Sequence, residues 1–154
     1  MATEHANLIS VSGTREAAMS FLTAVYAAQI MTAETMSGPL NDRVSVDTGR
    51  VTIEAEFSTR GSAPFEAVAE LVRSHPEVVV AVASVEPEQG LAAIHVLSGA
   101  DSWIAELDEA EKAECAGEGG YLDEGAAFGA LMSTAASVVD DYERRLQPAA
   151  APTA

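Results

Sequence analysis

The chain has 154 residues, of which 48% are apolar, and a formal net charge of −16 from 24 acidic and 8 basic side chains. Length and composition predict one folded domain, residues 1–147, with enough apolar chain to escape disorder. The charge argues against direct binding of nucleic acid or of an anionic membrane surface. No apolar run approaches the roughly 18 residues of a membrane-spanning helix.

The first elements are a strand and a helix. Residues 7–11 are β-prone and are followed by Ser12-Gly13, which predicts a strand. Thr14 is placed to cap a helix that runs to about Met31, and residues 34–42 read as a loop. The helical stripe of that segment consists of Ala18, Phe21, Leu22, Val25 and Gln29.

A hairpin is predicted next. Two alternating runs, residues 44–46 and 50–57, flank the turn residues Asp47-Thr48-Gly49. In the second run one side of the strand is apolar and the other polar, so one face should be buried and the other should face water. The apolar side consists of Val51, Ile53, Ala55 and Phe57.

The middle of the chain predicts a helix and a second hairpin. Ser62 is expected to cap a helix that carries Pro64 early and ends at His75-Pro76. Residues 78–85 are apolar on both faces, which is typical of a central strand. Residues 91–97 should return as its antiparallel partner after the turn at residues 87–90.

Two further helices are predicted in the last third of the chain. Asp101 or Ser102 is expected to cap the first of them, with Trp103, Ile104 and Leu107 facing inward. Residues 123–146 carry an apolar stripe of more than two heptads and predict a long final helix. That stripe is interpreted either as core packing or as the seam of a homodimer. Residues 148–154 are predicted to be a disordered tail.

The element order and several turn residues resemble those of a known family. Strand, helix, hairpin, helix, hairpin and helix predict an α+β fold, a ferredoxin-like antiparallel sheet with helices on one face and an added long C-terminal helix. Residues 7–99 are similar to the YubB-like ferredoxin-like proteins of phages and plasmids. The residues that carry this resemblance are Asn7 to Gly13, Phe21, Phe57-Ser58-Thr59, Pro64, His75-Pro76 and Glu86 to Gly90. It implies a fold and a mobile-element setting, without a common enzymatic activity.

No catalytic or metal-binding pattern stands out in the sequence. His5, in a terminus expected to be mobile, His75 and His95 each lack a second ligand at metal spacing. Cys115 is the single cysteine, which excludes an internal disulfide and predicts a reducing, cytoplasmic setting. Its pKa should be raised by Glu111, Glu114 and Glu118. We therefore predict no catalytic residue, metal or cofactor, and no enzyme.

The densest feature is a run of carboxylates between residues 106 and 124, where Lys112 is the single cation. It is interpreted either as a solvated face or as a surface that docks on a basic groove and imitates a phosphate backbone. The candidate partner-binding residues, called the acidic ridge below, are Glu106, Asp108, Glu109, Glu111 and Glu114.

Three functions remain open on the sequence alone. The first is a non-catalytic acidic protein-binding module that inhibits a basic, nucleic-acid-handling host defence protein. The second is a structural or regulatory domain that self-associates through its sheet or its last helix, for instance as a homodimer through the helix 123–146. The third is an enzyme with buried carboxylates, which a strongly raised carboxyl pKa inside a cleft would indicate.

Overall fold

A computed structural model describes residues 3–45 and 48–146 of the chain. Within these residues, six strands, four α-helices and one short 3₁₀ turn follow each other. The strands are β1 (Glu4–Gly13), β2 (Asn41–Val44), β3 (Val51–Arg60), β4 (Val79–Glu86), β5 (Leu91–Ser98) and β6 (Asp101–Glu106). The helices are α1 (Arg15–Ala27), α2 (Phe65–Arg73), α3 (Glu109–Glu114) and α4 (Glu124–Leu146), and the 3₁₀ turn is Glu118–Gly120.

All six strands form one antiparallel sheet in the order β2-β3-β1-β4-β5-β6. Helix α1 connects β1 to β2, and β3 pairs between those two strands. Helix α2 connects β3 to β4, and β1 pairs between them. The last three strands form a simple meander. The predicted α+β class, antiparallel sheet and long C-terminal helix are confirmed.

Helices cover both faces of the sheet, where the sequence predicted them on one face. In β1, Ile9 and Val11 pack with α1 and α2, whereas Leu8 belongs to the core beneath α4. Strand β4 lies in the middle of the sheet and every residue in it is buried. Its continuous apolar run, which predicted a central strand, is explained by these two cores.

Of the N-caps predicted for the first two helices, one is confirmed and the other is wrong. Thr14 accepts a hydrogen bond from the amide of Ala17 at 3.1 Å, as predicted. Ser62 does not cap α2; Pro64 holds that position without a side-chain hydrogen bond. Helix α1 ends at Ala27 and not near Met31, because Gln29 adopts a left-handed backbone with φ 58°.

The segment 101–106 is a strand, so the helix predicted there is wrong. Gly99, with φ 57°, occupies the first position of a two-residue turn, where glycine is favoured. The chain then pairs along β5, which offers a row of free backbone groups that a local helix could not satisfy. Trp103 packs against the core under α4, whereas Ile104 is 57% exposed instead of facing inward.

Two predicted features fall partly or wholly outside the described residues. Residues 46 and 47 of the first hairpin are not described, and neither is the predicted tail, residues 148–154. The predicted hairpin pairing of β2 with β3 is present, from Val44 opposite Val51 to Asn41 opposite Glu54. Strand β2 lies earlier than predicted, however, since it begins in the segment expected to be a loop. None of the helices in the described part of the chain has the length and hydropathy needed to cross a bilayer.

Candidate functional site

The acidic ridge is placed on a strand end and a short helix. Glu106 is the last residue of β6, Asp108 caps α3, and the remaining three carboxylates lie on α3 itself. Helix α3 has 6 residues and Glu106 lies on a strand, so the ridge does not lie on the single helix that was predicted to begin at Asp101 or Ser102. Four of the five residues are exposed, and Glu111 is half-buried.

Two ridge residues support the local fold. The Asp108 side chain accepts a hydrogen bond from the Glu111 amide at 2.8 Å, and the Glu111 side chain accepts one from the Asp108 amide at 3.1 Å. This capping box satisfies two amides that would otherwise lack a partner at the start of α3. Substituting Asp108 or Glu111 would therefore perturb α3 as well as the surface charge.

Glu106, Glu109 and Glu114 are free of that structural role. Glu109 lies 3.5 Å from the ammonium group of Lys112, and its side chain is 94% exposed. Glu106 and Lys112 both line a cavity of about 210 Å³ beside the start of β5. Within the described residues, neither Glu106 nor Glu114 forms an ion pair. These three carboxylates are the part of the ridge available to a partner.

The ridge also contributes to the raised pKa of the buried cysteine. Burial raises the pKa of the Cys115 thiol above its ordinary value, and the charges of Glu114, Glu111 and Asp123 raise it further. The predicted direction is confirmed, although Asp123 contributes in place of Glu118. Asp123 is brought close because its amide donates to the carbonyl oxygen of Cys115 at 2.9 Å. A thiol in this setting is a poor nucleophile.

A second group of carboxylates surrounds a cavity of about 650 Å³ between the start of α4 and the sheet. Its lining contains no lysine or arginine. The glutamates that line it are Glu4, Glu56, Glu86, Glu88 and Glu124. They come from distant parts of the sequence, and β1, β3, the end of β4, the turn that follows it and α4 bring them together. Sequence reasoning missed this group because no local pattern connects its members.

Buried polar side chains form a third cluster that sequence reasoning missed. His5 was predicted to lie in a mobile terminus, but it is in β1 and is 8% exposed, with its Nδ1 3.4 Å from the Ser84 hydroxyl. The Asn7 amide, on the same side of β1, donates to the Thr59 hydroxyl at 3.1 Å, and no described residue hydrogen-bonds its Oδ1. His5 and Asn7 alternate along β1 with the same spacing as the core residues Ile9 and Val11, so all four lie on one face of the strand. This alternation could have predicted the burial of His5 and Asn7 from the sequence.

The two ends of the sheet carry different charges. β1 begins at one end, where β4 and β6 finish and the ridge and the glutamate cavity also lie; we call it the acidic end. Arg60 and Lys112 are the basic residues near this end. Six arginines lie toward the opposite end, near the turns and helix termini there: Arg15, Arg43, Arg50, Arg73, Arg144 and Arg145. This separation of charge is not visible along the sequence, where the arginines are scattered.

Among the described residues, no three His, Cys, Asp or Glu side chains are close enough to hold a metal ion.

The apolar stripe of α4 packs on the sheet, with Ala127, Leu131 and Ala135 buried and Val138 half-buried against the same core. The homodimer through this helix stays a prediction.

No protein-family model matches the chain, and neither a curated protein nor a solved structure shows significant similarity to it.

Proposed function

We propose that this protein is a non-catalytic binding module that uses its acidic end to bind a basic protein. The observation that carries this proposal is the separation of charge between the two ends of the sheet. At the opposite end, arginines accompany the carboxylates. At the acidic end, the ridge is accompanied by Lys112 alone, and the glutamate cavity by no cation in its lining.

The ion pairs support this difference. Arg15 lies 3.2 Å from Asp42, Arg145 lies 3.7 Å from Asp101, and Arg144 pairs with Asp141. These contacts offset part of the negative charge at the opposite end. On the ridge, Lys112 pairs with Glu109 alone, and the other four carboxylates form no ion pair within the described residues, so we expect a strongly negative potential around Glu106 and α3. A concentrated field of this kind accelerates association with a basic surface and selects against acidic ones.

We also propose the finer fold and the setting that the resemblance implies. The order β2-β3-β1-β4, with α1 and α2 on one face, supports a ferredoxin-like unit to which β5, β6 and α4 are additions. A module of this kind encoded by a phage or plasmid would bind a host defence protein that handles nucleic acid. Its acidic end would take the place of the phosphate groups. Such a partner is met in the cytoplasm.

The test is a charge reversal that spares the capping box. Wild-type protein and the triple variant Glu106→Lys, Glu109→Lys, Glu114→Lys are immobilised and incubated with host lysate at low and high salt. The wild type should retain a basic protein at low salt, release it at high salt and lose it to added duplex DNA. The triple variant should retain little or none of it.

A matched control carries the same change in net charge at exposed sites toward the opposite end of the sheet, Glu16→Lys, Glu77→Lys and Asp140→Lys. This control should retain the partner. Equal loss in both triple variants would show that total charge, and not the acidic end, governs binding. Retention in both would contradict the proposed function. Far-UV circular dichroism and urea unfolding establish that each variant is folded.

A further inference from the structure

Strand β6 is the terminal strand of the sheet, and its outer edge is open. Asp101, Ser102, Ile104 and Glu106 are exposed along it. The Leu107 amide donates to the Ala92 carbonyl oxygen at 3.1 Å. In an antiparallel pair the bonded residues alternate, so Trp103 and Ala105 also direct their backbone groups toward β5.

The backbone groups of Ser102, Ile104 and Glu106 therefore point away from the sheet. Within the described residues, no hydrogen bond from another segment reaches them. Their side chains share the face that carries α2, where Ile104 is 57% exposed. An apolar side chain and a row of free donors and acceptors together form a template for an added strand.

The charges around β6 indicate which strand would pair there. Glu106 is the last residue of β6 and the ridge continues directly from it, whereas Asp101 at the other end of β6 is offset by Arg145, 3.7 Å away. The other outer strand, β2, has 4 residues and carries Arg43, which pairs with Glu54. β2 also carries Asp42, which is paired with Arg15. Of the two open edges, β6 is therefore the longer and the one that leads directly into the acidic ridge.

We propose that β6 binds an extended basic segment of the partner as an added antiparallel or parallel strand. This inference rests on the proposed function, because it takes the partner to be basic, and it adds the mode of binding. Backbone hydrogen bonds to Ser102, Ile104 and Glu106 hold the segment. Lysine or arginine side chains on that segment reach the ridge, and apolar ones pack on Ile104.

A second copy of this chain, paired through its own β6, is the alternative occupant of this edge. Each copy carries a formal charge of −16, so two acidic ends must approach each other in that arrangement. Repulsion between like charges disfavours such pairing at low ionic strength. A basic segment gains from the same field, which is why we favour it.

The probe is a synthetic peptide of alternating lysine and valine, long enough to pair with the 6 residues of β6. Its control is the same peptide with N-methylated backbone nitrogens, which keeps the charge and removes the donors. In the free protein the amides of Ser102, Ile104 and Glu106 should exchange rapidly with solvent. The unmodified peptide should slow their exchange by about tenfold or more, and the methylated peptide should not.

The variant Ile104→Pro tests the same edge without breaking the sheet. The backbone nitrogen of Ile104 faces outward, so proline at this position removes a free donor but breaks no hydrogen bond to β5. Proline is tolerated at edge positions of this kind. This variant should lose peptide binding, whereas Ile104→Thr, which keeps the amide, should retain most of it. Should Ile104→Pro fail to fold, the exchange measurement on the wild type still decides.

Two results would overturn the strand proposal. One is equal binding of both peptides without protection of the three amides, which would mean attraction by charge alone. The other is a dimer by analytical ultracentrifugation in which those amides are protected without peptide. If the ridge reversal abolishes partner capture while Ile104→Pro does not, strand addition fails and the proposed function stands. If the ridge reversal has no effect, the proposed function fails.

Discussion

The imidazole ring of His95 lies face to face with the phenyl ring of Phe65, with centroids 3.6 Å apart and planes 5° from parallel. Phe65 is the first residue of α2 and His95 is in β5, so this pair joins the helix to the sheet. Burial lowers the pKa of His95 below its ordinary value of 6.5, and the charge of Glu106 opposes that shift.

This stacking predicts a pH dependence of stability. Because the pKa of His95 is lower in the folded state, a proton binds this side chain more readily in the unfolded chain. The free energy of unfolding should therefore decrease as the pH falls from 6.5 toward the pKa of His95 in the folded state. His95→Phe keeps the stack and cannot titrate. In urea unfolding, the wild type should lose stability relative to His95→Phe as pH is lowered from about 7.5 to about 5.5. Parallel pH profiles for the two proteins would contradict this assignment.

The N-cap of α1 gives a second prediction, with a serine as its control. Thr14→Ala removes the acceptor of the Ala17 amide and should lower the free energy of unfolding by about 1 kcal/mol. Ser62→Ala removes a hydroxyl that caps nothing, so its effect should stay within about 0.5 kcal/mol. Chemical denaturation of both variants measures the difference. Equal losses would mean that Ser62 has a role its geometry does not show.

The packing of α4 on the sheet gives a third prediction. Leu131 is 1% exposed in the core under this helix, so Leu131→Ala should cost about 2–5 kcal/mol. Gly129 is exposed on the same helix, with no atom within 4 Å of an added Cβ. Gly129→Ala should therefore stabilise the protein by up to about 1 kcal/mol.

Thermal and urea unfolding of the two α4 variants should move in opposite directions. If α4 instead served as the seam of a homodimer, the cost of Leu131→Ala would depend on protein concentration. A cost independent of concentration supports packing within one chain. Loss of stability in Gly129→Ala would show that a second surface covers the outer side of α4.

The elements predicted well are those whose own side chains repeat with the right period. The alternation from Val51 to Phe57 marked β3 because one side of that strand is buried. The long apolar stripe marked α4 for the same reason. The segment at Trp103 was misread because its acidic and serine residues favour a helix cap locally, while the open edge of β5 decided its structure.

The candidate site was predictable only in part. The ridge could be found because its carboxylates are neighbours in the sequence, but their division into capping and free residues depends on the backbone around Asp108. The buried pair of His5 and Ser84 joins residues from two strands that are adjacent only in the sheet. No local pattern connects them.

Composition and periodicity by themselves determined that the chain is acidic, folded and α+β, because burial of an apolar face imposes a repeat on every element that meets the core. Only the tertiary structure decided where the charge lies. Antiparallel strands and their helices carry six arginines to one end of the sheet and leave the ridge and the glutamate cavity at the other. Chain direction in space, and not order in the sequence, determines which charges become neighbours.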